Sequence, residues 1–282
     1  MEKKRTDTNL LSIKELRKWF GGLMAVNRIS FDVKHGEIVA LIGPNGAGKT
    51  TIFNLITGFH PIDDGEIRFN EKRIDGLNPH KIVQEGIVRT FQNLQVFNHM
   101  SVLENVKVGL HLQGHSGMIT SALRMPSARQ EEREFHQKAL HYLEQVGLVE
   151  RANDLARNLP FGQQRLLEIA RALAVQPQLL LLDEPAAGLT VPETNNLDEL
   201  ICRLQENGLT ILLVEHDMGL VMGIADRVVV LHYGTKIAEG TPEEVQSNSE
   251  VIRAYLGEDW QQEQWSEWQP STPEPNTEVG NA

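Results

Sequence analysis

At 282 residues, 40% hydrophobic and 23% charged, the chain has ordinary globular composition and enough apolar material for a stable core, which excludes wholesale disorder. It has no apolar run long enough to cross a bilayer and no apolar stretch behind its charged start MEKKRTDTNL; a lone Cys202 excludes an intramolecular disulfide framework, so a soluble chain of a reducing compartment is expected. The net charge of −11 is uneven: residues 258–282 hold six acidic residues and no lysine or arginine, leaving −5 for the first 257, a balance that points away from nucleic acid.

From Leu10 to about Arg68 the segments LSIKEL, NRISFDV, EIVALIG and EIRFN read as strands. IVALI is apolar at consecutive positions, as a strand covered on both faces of a parallel sheet must be. A helix is expected from Lys49 to Thr57, closed by Gly58. Between about 93 and 160 the pattern turns helical. SVLENVKVGL is one candidate; another starts after Pro126, where Ser127 and Gln130 have capping-box spacing. Phe135, Ala139, Tyr142, Leu143 and Val146 follow at helical intervals, and Gly147 can end that helix. A third helix is expected from about Gln163 to Val175, stopped by Pro177, and strands resume at LLLLD, TILLVEH and RVVVLHY. The expected fold is an α/β body of residues 1–257 with a helical insertion at about 93–165. Residues 258–282, with Pro270, Pro273, Pro275 and three tryptophans, read as an acidic, disordered tail.

Gly43, Pro44, Asn45, Gly46, Ala47, Gly48, Lys49 and Thr50 match GxxxxGK[ST] between a predicted strand and a predicted helix, with Thr51 next in line. Glycines let the backbone wrap a phosphate chain with its N–H groups inward, and the helix start adds positive partial charge. Lys49 is suited to the β- and γ-phosphates of a nucleotide and the Thr50 hydroxyl to Mg²⁺. In Leu179–Glu184, four leucines build a buried strand that aims Asp183 at its carboxyl end, where open α/β sheets bind ligands. Asp183 is then expected to hold Mg²⁺, directly or through water, and Glu184 to act as general base for an attacking water. His111 and His115 lie four apart, but no carboxylate completes a metal site around them.

Asn158, Leu159, Pro160, Phe161, Gly162 and Gln163 precede the acidic pair by about twenty residues. This segment resembles the LSGGQ signature of ATP-binding cassette (ABC) proteins, at the interval where that family keeps it. The resemblance implies a phosphate-loop ATPase core with a mostly parallel sheet, an N-terminal antiparallel β-subdomain and an inserted helical subdomain. It also implies that the signature of one subunit faces the γ-phosphate held by the phosphate loop of another. Here Pro160 stands at the signature serine, with neither hydroxyl nor N–H, and Phe161 at its first glycine. What remains to offer is Gly162, Gln163 and a helix start, so a less richly bonded half-site is expected.

By the same resemblance Gln92 matches the glutamine loop that meets Mg²⁺ and the attacking water. His216, 32 residues beyond Glu184, matches the switch histidine, and Phe20 the aromatic that stacks on adenine. Ala187–Thr190 occupies the family's D-loop, with threonine where aspartate is usual. Stretches from WFGGLMAVNRISFDV to VIRAYLGE, together about residues 10–257, are similar to the LivG-type ATPases of branched-chain amino acid importers. That implies MgATP hydrolysis at the cytoplasmic face of the cell membrane. The implied partners are a second ABC ATPase, two membrane permeases and an external solute-binding protein. Leu94–Met100 is either where a permease docks or part of the core beneath the helical segment. Cargo is not written in such a chain: ATPases for urea, amides, other amino acids or lipopolysaccharide export are similar, and a soluble ABC ATPase without a permease is the alternative of another class.

Overall fold

The structure, a computed structural model, describes residues 8–111 and 126–256. The tail, His115, and the side chains of Ser127 and Gln130 lie outside the described residues. β1 (Asn9–Phe20) and β2 (Leu23–Lys34) form a hairpin, and β3 (Ile38–Ile42) runs into the loop that opens α1 (Lys49–Ile56). β4 (Asp64–Phe69) and β5 (Lys72–Arg73) follow, then α2 (Pro79–Glu85) and β6 (Ile87–Arg89). A helical stretch comprises α3 (Val102–His111), α4 (Pro126–Gln145) and α5 (Phe161–Ala174). The chain then returns to the sheet through β7 (Leu179–Asp183), α6 (Val191–Glu206), β8 (Thr210–Val214), α7 (Met218–Ile224), β9 (Arg227–His232) and β10 (Thr235–Gly240). It closes with α8 (Pro242–Gln246) and α9 (Ser249–Leu256).

Two sheets result. An antiparallel one has the order β2-β1-β4-β5, and a six-stranded one the order β10-β9-β3-β8-β7-β6, parallel throughout except for the β10 edge. The fold class expected from the sequence is the one observed. The unbroken apolar run of β3 has a direct explanation in the pleat. Ile38, Ala40 and Ile42 feed a core shared with α3, α5 and α6, while Val39 and Leu41 feed a second core with Ile13, Phe53 and Ile67. Phe53 has no exposed surface, so its truncation to alanine would cost about 3–5 kcal/mol.

The third helix starts two residues before the expected Gln163. Pro160 takes the N-cap position, where its missing N–H costs nothing, and Phe161 is the first helical residue. α3 packs against both α4 and α5, and an isolated bridge between Ser101 and Leu155 closes its base. The functional consequence of the topology lies at one edge. β3, β8, β7 and β6 are consecutive neighbours, so the loops leaving their carboxyl ends converge.

Candidate functional site

Four segments meet there: Gly43–Thr51 after β3, Gln92 after β6, Asp183 and Glu184 at the end of β7, and His216 after β8. Gly48 has φ +104°, and a Cβ there would lie 2.7 Å from the Ala25 carbonyl oxygen, so the loop closes onto β2 only with glycine. Lys49 is buried, and its Nζ donates to the Gly43 and Pro44 carbonyls at 2.5 and 3.1 Å, curling the side chain over its own loop. Burial pushes its ammonium pKa down, while the nearby charges of Glu184 and Asp183 pull it back up. Together the loop, Phe20, Met24, Glu184 and His216 line a cleft of about 460 Å³. Thr50 and Thr51 line it too.

Glu184 is the hub. Its Oε2 accepts from Gln92 Nε2 at 2.7 Å, and its Oε1 lies 2.9 Å from His216 Nε2. The residue has φ +48°, a conformation that side-chain-bearing residues seldom adopt, held by its N–H donating to the Val214 carbonyl at 2.8 Å. Three residues that the sequence scatters over 125 positions thus share one hydrogen-bonded chain. Asp183 is buried, and its Oδ2 accepts from Arg89 Nη2 at 2.6 Å. Phe20 is 42% exposed at the cleft rim, meets the edge of His60 at a centroid distance of 5.3 Å, and has Lys18 Nζ 5.5 Å from its ring centre. It is a rim aromatic and not a core one.

The signature segment behaves differently. Leu159, read from the resemblance as part of the surface offered to a second subunit, is buried in the core beside α5; its apolar side chain wins more from burial than from exposure. Pro160 and Phe161 are exposed. The close approach that Gly162 permits is to its own chain, since a Cβ there would collide with the Glu193 carboxylate. Gln163 is half-buried, with no hydrogen-bond partner for its Oε1. Thr190 is spent on α6: Glu193 Oε2 accepts both its N–H at 2.9 Å and its hydroxyl at 2.7 Å.

Two residues that the sequence reading passes over hold this arrangement. Arg165 on α5 is 1% exposed and donates to the Phe91 and Gln92 carbonyls at 2.8 Å each and to Glu168 at 2.9 Å. It fixes the backbone that carries Gln92. Glu215, just before His216, is 3% exposed and accepts the Ala186 and His216 N–H groups. Burial pushes its carboxyl pKa up, against the lowering by those N–H groups. The sequence signal was slender: GQQR places an arginine one turn into a helix, and VEH puts a charge at a strand end.

Next to Arg165 along α5, Val96, Phe97, Glu168, Arg171 and Val175 line a groove of about 420 Å³. Phe97 is 47% exposed with the Arg171 guanidinium 5.3 Å from its ring centre, while Leu94 and Val96 are half-buried. Leu94–Met100 is therefore neither fully core nor fully surface. Among the described residues no cluster of three metal-ligating side chains occurs and no helix is long and apolar enough to cross a membrane.

A phosphate-wrapping loop at the end of a parallel strand, with a carboxylate hub beside it, defines a phosphate-loop nucleotide hydrolase. The ABC transporter family model matches residues 26–187, and the branched-chain amino acid ATP-binding cassette transporter model matches residues 235–260. The chain belongs to the ABC transporter ATP-binding family and is an ABC-type ATPase. It is 50% identical over 250 residues to the high-affinity branched-chain amino acid transport ATP-binding protein LivG of Escherichia coli K12, covering 88% of this chain and 98% of that one. To BraF of Pseudomonas aeruginosa, of the same description, it is 47% identical over the same shares. Among solved structures, a nucleotide-free ATP-binding cassette from an ABC transporter superposes with TM-score 0.78 at 33% identity, covering 89% of this chain and all of that one. A dimeric cassette in a post-hydrolysis state bound to ADP and Pi gives 0.70 at 26% identity, covering 82% and 98%.

Proposed function

We propose that this chain hydrolyses MgATP to drive import of branched-chain amino acids, as the names of its LivG and BraF relatives suggest for the cargo. The observation that carries the chemistry is the Glu184 carboxylate held between Gln92 and His216 beside the phosphate loop. Phe20 stacks on adenine. Gly43–Thr51 wraps the phosphates, and Lys49 swings from its own carbonyls to the β- and γ-oxygens. Glu184 orients a water and takes its proton as the water oxygen bonds to the γ-phosphorus; the bond to the bridging oxygen breaks, and ADP and phosphate leave. His216 Nε2 shares its proton between Glu184 and the γ-phosphate.

The donors fit Mg²⁺. Thr50 offers a hydroxyl, Asp183 the carboxylate oxygen that Arg89 leaves, and Gln92 the amide oxygen beyond the Nε2 given to Glu184. These are hard oxygen ligands, and a site with few of them suits a cation that also takes phosphate oxygens. When bound, Mg²⁺ neutralises charge on the β- and γ-phosphates.

Residues 1–257 act as one nucleotide-binding unit and 258–282 as an appended tail. Catalysis needs a second cassette, whose signature covers the γ-phosphate, while Phe161, Gly162 and Gln163 of this chain serve the partner's nucleotide. The groove beside Phe97 receives a segment of one of two permeases, which puts the chain on the cytoplasmic side of the membrane, with a solute-binding protein outside. The test is extraction of the native complex and its reconstitution in vesicles. Leucine, isoleucine and valine with the binding protein should stimulate hydrolysis; stimulation by urea or amides instead would overturn the cargo, and a chain that co-purifies with no permease would overturn the transport reading.

A further inference from the structure

Glu215 has no place in the scheme above, yet it carries a charge in the core. It is 3% exposed at the end of β8. Its Oε1 accepts the Ala186 N–H at 2.7 Å; its Oε2 accepts the His216 N–H at 2.9 Å and that of Asp217 at 3.4 Å. Main-chain donors from two different loops therefore converge on one carboxylate. One loop leaves β7 through Glu184 and reaches Ala186 two residues later. The other leaves β8 and carries His216. Burying an ion in this way is costly, and Asp217 adds a like charge next door. An apolar residue would fill the same space more cheaply, so the charge answers to something other than packing.

What it does follows from the bonds. Glu184 donates its N–H to the Val214 carbonyl at 2.8 Å, so one side of the β7 loop is tied to β8 by main chain. Glu215 ties the other side, two residues further on. With both ties made, Glu184 Oε1 stands 2.9 Å from His216 Nε2. We propose that Glu215 is a positioning residue for hydrolysis: its carboxylate staples the loop leaving Glu184 to the loop bearing His216, so that the two side chains keep hydrogen-bonding distance. It touches no nucleotide and lies outside the cleft lined by the phosphate loop. The inference rests on the roles given above to Glu184 and His216.

The test uses the full-length chain in its native membrane complex. Glu215→Gln keeps the shape but replaces one accepting oxygen by an NH₂ group that cannot accept. One lost hydrogen bond to a charged group predicts a fall in kcat of about 10-fold or somewhat more. KM for ATP should stay within about 2-fold, because uniform binding is untouched. Glu215→Asp, with the charge but a shorter reach, should retain more activity than Gln; it also serves if Gln fails to fold. Acting through His216 makes the effects non-additive, so in a His216→Ala background either change should cost less than about 2-fold further. Full-speed hydrolysis by folded Glu215→Gln overturns the proposal, and so does a loss that multiplies with that of His216→Ala. Glu184→Gln is run alongside: if it hydrolyses normally, the roles of Glu184 and His216 fall and the staple with them, whereas its loss beside an active Glu215→Gln sinks the staple alone.

Discussion

The two faces of this cassette that meet nucleotide in the proposed assembly are built on opposite plans. At the carboxyl ends of β3, β7 and β8, polar groups are aimed into the cleft and braced from behind: Glu184 by Gln92 and His216, and Gln92 by Arg165 through its backbone. At the start of α5 and in the loop before α6, polar groups are engaged with one another within the chain. Thr190 and Glu193 cap each other, Gly162 nestles against Glu193, and Pro160 has no hydrogen to give. The Phe161 ring and the Val191 side chain are exposed there. The first face is equipped for chemistry in its own chain; the second presents shape more than hydrogen bonds.

The sharpest way to test the contrast is to strip the first face. Glu184→Gln should bind MgATP normally and hydrolyse it at least on the order of 100-fold more slowly, because the base goes while the charge cage stays; near-normal turnover in the purified complex would refute the hub. Lys49→Ala should weaken ATP binding about 30-fold by loss of charged hydrogen bonds to the phosphates, read by equilibrium nucleotide titration. On the second face the expected sign reverses. Pro160→Ser with Phe161→Gly returns a hydroxyl and an N–H toward the partner's nucleotide, and should raise hydrolysis about 10-fold, the worth of one hydrogen bond to a charged phosphate; unchanged or lower activity would mean that the Phe161 ring is itself the contact.

The smallest effect concerns Asp198 on α6, behind that second face. Burial, then the charges of Asp217 and Glu215, push its pKa from 3.8 up to about 6. A raised carboxyl pKa contributes stability that is fully present below pH 3.8 and is lost as pH rises through about 6. Asp198→Asn should therefore stabilise the chain at pH 7–8 by about 1 kcal/mol, allowing for solvent screening of a partly exposed group. The gain should vanish near pH 4 in thermal melts; a gain independent of pH would mean that the side chain's charge is not its cause.

Much of this is legible in the sequence because the signals are local. The phosphate loop announces itself by its spacing between strand and helix, and IVALI and LLLLD announce strands buried on both faces. Thr190 and Glu193 stand at capping-box spacing, so the local use of that threonine is also readable from sequence, although the family comparison draws the eye to the missing aspartate instead. What escapes is non-local. Arg165 grips carbonyls 74 and 73 residues away, and Glu215 an N–H 29 residues away, so no window of neighbouring residues reports either contact. Leu159 escapes for another reason: a motif borrowed from relatives says which residues gather at an interface, while burial decides which of them point inward.

The α5 helix leaves one mechanical legacy. Fourteen residues at 1.5 Å each make a rod of about 20 Å. Its first residue, Phe161, is exposed; its second turn, through Arg165, holds the glutamine segment; its later turns, with Glu168 and Arg171, wall the groove beside Phe97. In the proposed assembly a push at the groove and a squeeze at Phe161 would load the same beam, and Gln92 hangs from it between the two like the pointer of a balance.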